Sequence, residues 1–516
     1  MIRFLRKYHR WFGLVTTIFI LFFAISGMVL NHRELLSGFD LNRSFLPPVY
    51  RYNNWNLAAV KGSVKAGGDS ILVYGNIGVW LTDSTVKSFR SLNAGFPKGI
   101  DNRKINTLSW SPVSGLFAGT LFGLYHFHSG QWEKNELPVK KPRIVKIIQF
   151  GDTLLAMSRS NLFIATGTSD YRQFQEIPVP RGEDDDGRTG LFKTLWVIHS
   201  GEIWGQAGKL IVDGVGIVFI MLCITGLIYF FVPYRLKSLK DDLRRSKLKH
   251  FNKASLKWHN SIGSWAILIL LLNTTTGIFL RPPLLIPIAN KRVTKIKFTE
   301  LDNPNPWFDR FRDLVYDMES GRFMVATSEG IYYSDDRFRS ELKLFHRQPP
   351  ISVMGINVFE KTSAGHYLIG SFSGIFDWEP SSGHTLDCIT MTDYAETGES
   401  GPPFGNVTVA GSIRCNDSTR ILFDYAHGAI ALNGKSPLPP FPAVIAEASP
   451  ISLWNTCLEI HTGRIFEPVL GPFYILIVPL VGLATLFILV SGFLAWWLPR
   501  RKKHSGIFFR KQALQE

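Results

Sequence analysis

The sequence predicts a membrane protein with four transmembrane α-helices in two tandem repeats and a β-rich, propeller-like periplasmic domain built from two long loops. Three observations predict it. Four windows carry almost no charge over about 20 residues, the length that crosses roughly 30 Å of hydrocarbon at about 1.5 Å per residue. The basic excess of the chain sits only beside those windows. Short motifs that combine histidine and glycine are written twice, once in each half.

The windows divide the 516 residues as follows. Residues 1–30 are an N-terminal segment and first span, 31–209 a first outer loop, and 210–233 a second span. Residues 234–260 are a basic linker, 261–280 a third span, 281–472 a second outer loop, 473–498 a fourth span, and 499–516 a basic tail. The first span also has features of a signal peptide, with "AIS" before Gly27 and Arg3, Arg6, Lys7 and Arg10 ahead of the apolar run. Against cleavage, the run is longer than a usual signal core, and its "SG" returns inside the third span as "TG".

Charge sets the expected orientation. The net charge is +16, and residues 1–11, 234–260 and 499–516 carry +4, +7 and +5 of it. Both long loops together are therefore neutral, with 38 basic and 38 acidic residues. By the positive-inside rule the termini and the linker face the cytoplasm, and the loops lie outside. A basic excess confined to the edges of spans argues against nucleic-acid binding and for attraction to anionic membrane lipids. Cys223 lies within a span; Cys388, Cys415 and Cys457 lie in the second outer loop, where Cys388 and Cys415 are candidates for a disulfide that leaves one thiol over. No glycine-rich phosphate loop or dinucleotide fingerprint follows a strand pattern, so no nucleotide site is expected.

The repeat is read from spacing. "KYHRWFG" from Lys7 matches "KWHNSIG" from Lys257, aligning His9 and Gly13 with His259 and Gly263; an "SG" or "TG" pair ends 18 residues after each histidine, at Gly27 and Gly277. "IHSGEIWG" from Ile198 precedes the second span and "IHTGRIF" from Ile460 the fourth, aligning His199 with His461. Gly226 to Pro233 and Gly492 to Pro499 are each seven residues. Two halves of the same orientation imply a pseudo-twofold axis along the membrane normal.

Both loops carry hairpin signals, an apolar strand, a glycine-containing polar turn and an aromatic strand. The clearest are "GLFAGTLFGLYHFHSGQW" (115–132), "RFMVATSEGIYYSDD" (322–336) and "HYLIGSFSGIFDWEPSSG" (366–383). Weaker copies are "SILVYGNIGVWLTD", "TLLAMSRSNLFIAT" and "RILFDYAHGAIALNG". Three copies per loop are too few to close a ring of blades, so the two loops are expected to build one domain jointly; two small sandwiches are the alternative.

The histidines sort by depth. His9 and His259 stand at the cytoplasmic ends of the first and third helices, and His199 and His461 precede the second and fourth on the outer side. His32 joins the outer group, because 23 residues of helix after His9 span roughly 34 Å. Two equivalent imidazoles facing each other supply the axial pair of a six-coordinate b-type haem, and two layers suggest two haems. Gly13, Gly263 and the S/T-G pairs would let a flat macrocycle, or a neighbouring helix, approach the backbone. The bland alternative is that each histidine is an interfacial residue.

The elements "HRWFGL", "LNHRE", "IHSGEIWG…GKLIVDGVGIVFIMLCITGLIYFF" and "IHTGRIF" resemble the PepSY-associated transmembrane helix family of bacterial inner-membrane proteins. Members implicated in iron uptake are haem-containing reductases of ferric siderophores. The resemblance implies haem ligands at His9, His259, His199 and His461, with His32 as a further candidate. It departs from the family in the outer loops, which are longer and richer in hairpins than a short α/β PepSY module. The expected function is therefore a di-haem b electron carrier, a transmembrane ferric-siderophore reductase, taking electrons from a quinol or a cytoplasmic reductase. The alternative is a membrane-anchored receptor or assembly protein whose outer domain binds a periplasmic partner. Three weaker candidates remain: His126 and His128 share one strand face, Asp213 is an acid within a span that pairs with Lys209 or serves a proton path, and the linker "DDLRRSKLKHFNK" is a juxtamembrane anchor or a docking site for a donor.

Overall fold

The computed structural model of the chain describes residues 1–140, 142–352, 355–394, 405–414, 420–431 and 438–512. It separates into two compact units, one of residues 1–36, 187–302 and 454–516 and the other of residues 37–186 and 303–453. The described helices are α1 (Ile2–Asn31), α2 (Leu191–Ser200), α3 (Gly205–Ser238), α4 (Asp242–Ile278), α5 (Ala443–Glu447), α6 (Leu453–His461), α7 (Glu467–Leu470) and α8 (Ile477–Gln512). All but α5 belong to the first, helical unit.

Four segments of that unit, containing α1, α3, α4 and α8, are long and apolar enough to cross a membrane. Each of α1 and α4 packs against both α3 and α8, so α1 and α4 stand diagonally across a four-helix arrangement. Its polarity is inverted relative to a water-soluble bundle. Trp265 is 87% and Leu268 80% exposed, whereas Thr16, Ser26, Thr276 and Ser491 are buried. Small hydroxyl residues inside and large apolar ones outside are what hydrocarbon surroundings favour. Thr16, Ser26 and Thr276 each return the hydroxyl to the carbonyl four residues earlier, so none is left without a partner.

The segment expected to be a linker is helical instead. α3 continues to Ser238 and α4 starts at Asp242, leaving three connecting residues. The Asp241 carboxylate accepts the N–H groups of Leu243 and Arg244 at 2.9 and 3.2 Å, and the leucine, lysine and arginine that follow are good helix formers, so the third span begins well before residue 261.

Among the described residues the β-rich unit contains six separate antiparallel sheets of three to five strands, three from each loop, and a two-stranded pair of Asp40–Leu41 with Ile451–Ser452 that joins the loops, so residues of both loops build it. Their first strands are Gly62–Gly67, Ile105–Ser111, Ile144–Phe150, Phe311–Asp317, Ile356–Ser363 and Val409–Arg414. Each predicted hairpin supplies the second and third strands of one sheet, for example Gly115–Thr120 with Leu124–His128 and His366–Ser371 with Gly374–Glu379. No ladder of hydrogen bonds links any of these sheets to the next, so they do not form one closed sheet. They are joined by side-chain packing. Successive sheets share buried apolar clusters, and one cluster, with Trp55, Val73 and Trp80 against Ile413 and Phe423, joins the first sheet to the sixth. Cys415 lies outside the described residues, and the Cys388–Cys415 pairing with it.

Candidate functional site: two histidine pairs in the helical unit

His9 on α1 and His259 on α4 come from the two diagonal helices, and their ring centroids are 6.1 Å apart. His199, at the end of α2, and His461, at the end of α6, form a second pair with centroids also 6.1 Å apart. The four rings are held in one way. His9 Nδ1 lies 3.0 Å from the Ile488 carbonyl, His199 Nδ1 3.0 Å from the Asn273 carbonyl, and His461 Nδ1 3.0 Å from the Phe23 carbonyl. The His259 ring bonds the Leu222 backbone, and its Nδ1 lies 3.0 Å from Thr225 Oγ1.

Each of those carbonyls stands three residues before the hydroxyl residue of an S/T-G pair: Phe23 before Ser26, Leu222 before Thr225, Asn273 before Thr276, Ile488 before Ser491. In an α-helix that carbonyl accepts from the N–H of the glycine that completes the pair, and its second lone pair remains for a side chain from outside. A side chain on the glycine would cover it. A Cβ built on Gly27, Gly277 or Gly492 falls 3.1, 2.7 or 2.7 Å from the histidine Cε1, and one on Gly226 falls 3.5 Å away. The S/T-G pairs are thus seats for histidines from neighbouring elements. Gly13, by contrast, faces open space.

A carbonyl can only accept, so Nδ1 carries the proton and Nε2 is left as the basic nitrogen. A metal-bound imidazole is oriented in the same way, through its second nitrogen. Each pair brings together two imidazoles, 6.1 Å apart between centroids, whose second nitrogens are not taken by the carbonyls, a donor set that could hold one haem iron. Among the described residues no cluster of three or more histidine, cysteine or acidic side chains could hold a bare metal ion.

The short helices α2 and α6 aim the second pair. α2 stops at Ser200 because Gly201 adopts a left-handed conformation at φ 81°, and Gly463 does the same at φ 76° after α6. Each leaves its histidine in the final turn of the helix. That is the role of the glycine in "HSG" and "HTG".

His32 joins neither pair: its Nε2 lies 2.7 Å from Asp213 Oδ2, and Asn31 Nδ2 donates to the other carboxylate oxygen at 3.1 Å. Asp213 thus pairs with His32, and Lys209 pairs with Glu202 at 3.1 Å. In the β-rich unit His126 stacks on Phe117 at 4.3 Å, with the His128 ring 6.4 Å away. Burial and the neighbouring His128 hold the His126 pKa below its ordinary value.

The sequence profile described as PepSY-associated TM region matches twice, over residues 2–232 and 149–498. No curated protein matches the chain. Among solved structures, it is similar to two structures of the extracellular domain of the B. thetaiotaomicron protein BT4673, described as a one-component and a hybrid two-component system. Identities are 12% and 10%, TM-scores 0.34 and 0.32, and coverage 72% and 73% of this chain. A third is PorZ of the type-IX secretion system of Porphyromonas gingivalis, at 8% identity, TM-score 0.17 and 72% coverage. The matches span only 32%, 39% and 44% of those chains. With its sequence profile matched across nearly the whole chain, the protein belongs to the PepSY-associated TM region family.

Proposed function

We propose that the protein is an inner-membrane electron carrier with two b-type haems, one between His9 and His259 and one between His199 and His461, that reduces a ferric chelate held by its periplasmic β-rich unit. The observation that carries this reading is the 6.1 Å spacing of both ring pairs. Haem supplies one-electron chemistry at each pair. The chain's own groups do the rest. The main-chain carbonyls fix the protonated nitrogen and make each imidazole a stronger donor, and the apolar helix surfaces shape the surroundings that set the potential. Electrons come from a quinol or a cytoplasmic reductase. One electron converts Fe(III) to Fe(II), which hard oxygen donors hold less tightly, and the metal is released.

The six sheets are read as blades of a propeller. Support comes from the shared buried clusters, including the one between the first and sixth sheets. The termini are assigned to the cytoplasm because the basic residues gather there.

Purified protein, reduced with dithionite, should show the bands of a low-spin b haem. Anaerobic addition of a ferric chelate should return the oxidised spectrum, with Fe(II) trapped by a ferrous-specific dye. A colourless protein would overturn the haem assignment, and a reduced spectrum unchanged by every chelate would overturn the acceptor.

A further inference from the structure

The first strands of the six sheets surround a cavity of about 310 Å³ in the β-rich unit, and every one of those strands contributes to its wall. The wall is polar and unevenly charged. Lys61, Lys65, Lys146 and Arg414 face two carboxylates, Asp313 and Glu360. Both acids are engaged: Asp313 with Lys146 at 2.7 Å, and Glu360 with Arg420, which lies outside the wall, and with Ser412. Neutral polar residues complete the lining, among them Asn106, whose amide oxygen accepts from Lys61 at 2.9 Å and whose amide nitrogen donates to the Ile144 carbonyl at 2.9 Å.

From this we infer that the cavity is a binding site for a small polycarboxylate anion, free or as its ferric complex. Lysine and arginine heads brought together from different sheets recognise carboxylates through charge-assisted hydrogen bonds. The cavity volume suits a molecule of citrate size and excludes a protein segment of any length. Sequence gave no sign of it, because the lining residues are spread from position 61 to position 414 and meet only through the order of the sheets. Carboxylate binding is independent of haem; only the assignment of the ferric form as electron acceptor rests on the function proposed above.

Calorimetric titration of the full-length protein in detergent with citrate, and separately with ferric citrate, tests the inference. Saturable binding is expected. Lys65→Glu and Arg414→Glu should each weaken it at least tenfold, and Lys87→Glu, an exposed change outside the wall, should leave it unaltered. Lys65 is exposed, so its variant keeps the fold, which an unchanged near-ultraviolet circular dichroism spectrum would verify. Binding of both forms assigns the site to the carboxylate, and binding of the ferric form alone assigns it to the chelate. Absence of binding by either, or binding indifferent to both wall variants, overturns the inference. A normal haem spectrum without citrate binding would refute this site alone, and citrate binding by a colourless protein would refute the haem reading alone.

Discussion

A histidine ring that must present one nitrogen in a fixed direction needs its other nitrogen held, and here the holder is a helix carbonyl uncovered by a glycine. That arrangement makes a sharp prediction. Gly277→Ala places a methyl 2.7 Å from His199 Cε1, so it should displace the ring and remove or shift about half of the haem signal in a difference spectrum; Gly214→Ala, in open space and outside every S/T-G pair, should change nothing. Equal spectra for the two variants would contradict the role of the seat. Asp213→Asn is expected to disturb only the His32 and Asn31 contacts and to leave both haem signals at full height, since His32 stands apart from both pairs. Loss of one signal in that variant would restore His32 as a ligand candidate. The four ring-bearing histidines were legible in the sequence because their spacing repeats. The meaning of the S/T-G pairs was not, because each seat serves a histidine on another element, and spacing along one helix does not say which side chain arrives from elsewhere.

At the scale of elements, the hairpins were legible from alternating apolar and aromatic strands around glycine turns, a pattern that local sequence carries by itself. The first strands were not. Their polar residues, such as Lys65, Asn106, Lys146 and Asp313, line the cavity and interrupt the apolar pattern. The expected linker is helical because its lysine, arginine and leucine favour helix once Asp241 caps it, whatever their charge. Neighbouring sheets are also tied by charge. Asp317 on Phe311–Asp317 meets Lys361 on Ile356–Ser363. Burial alone would raise the Asp317 pKa, yet Lys361, Ser320 and the Glu319 backbone hold it down at about 2 against an ordinary 3.8. Because the folded value is the lower one, this stabilisation is complete above the ordinary value and is lost as pH falls through about 2. The melting temperature of the native protein should therefore exceed that of Asp317→Asn near pH 6, and the gap should close as pH drops from 4 to about 2. A gap that stays constant over that range would contradict the contact.

For the whole molecule, two stretches of chain that lie more than a hundred residues apart make one β-rich unit, and the cluster around Trp55 is where its first and sixth sheets meet. Trp55 is fully buried. Trp55→Ala should cost about 3–5 kcal/mol, and on titration with denaturant the first and second loops should become sensitive to protease together, since both loops share cores. Loss of protection in one loop well before the other would mean that each loop folds alone. Charge told which segments flank the spans and hairpin counting told that neither loop suffices by itself, but the side chains that pack between the first and sixth sheets are too far apart in sequence to be paired by any local pattern.

The most direct test counts haem. Pyridine haemochrome analysis of the purified protein should give two haem b per chain, falling to one in the double variant His9→Ala/His259→Ala and to one in His199→Ala/His461→Ala. Haem-free native protein, or two haems retained in either double variant, would contradict the account.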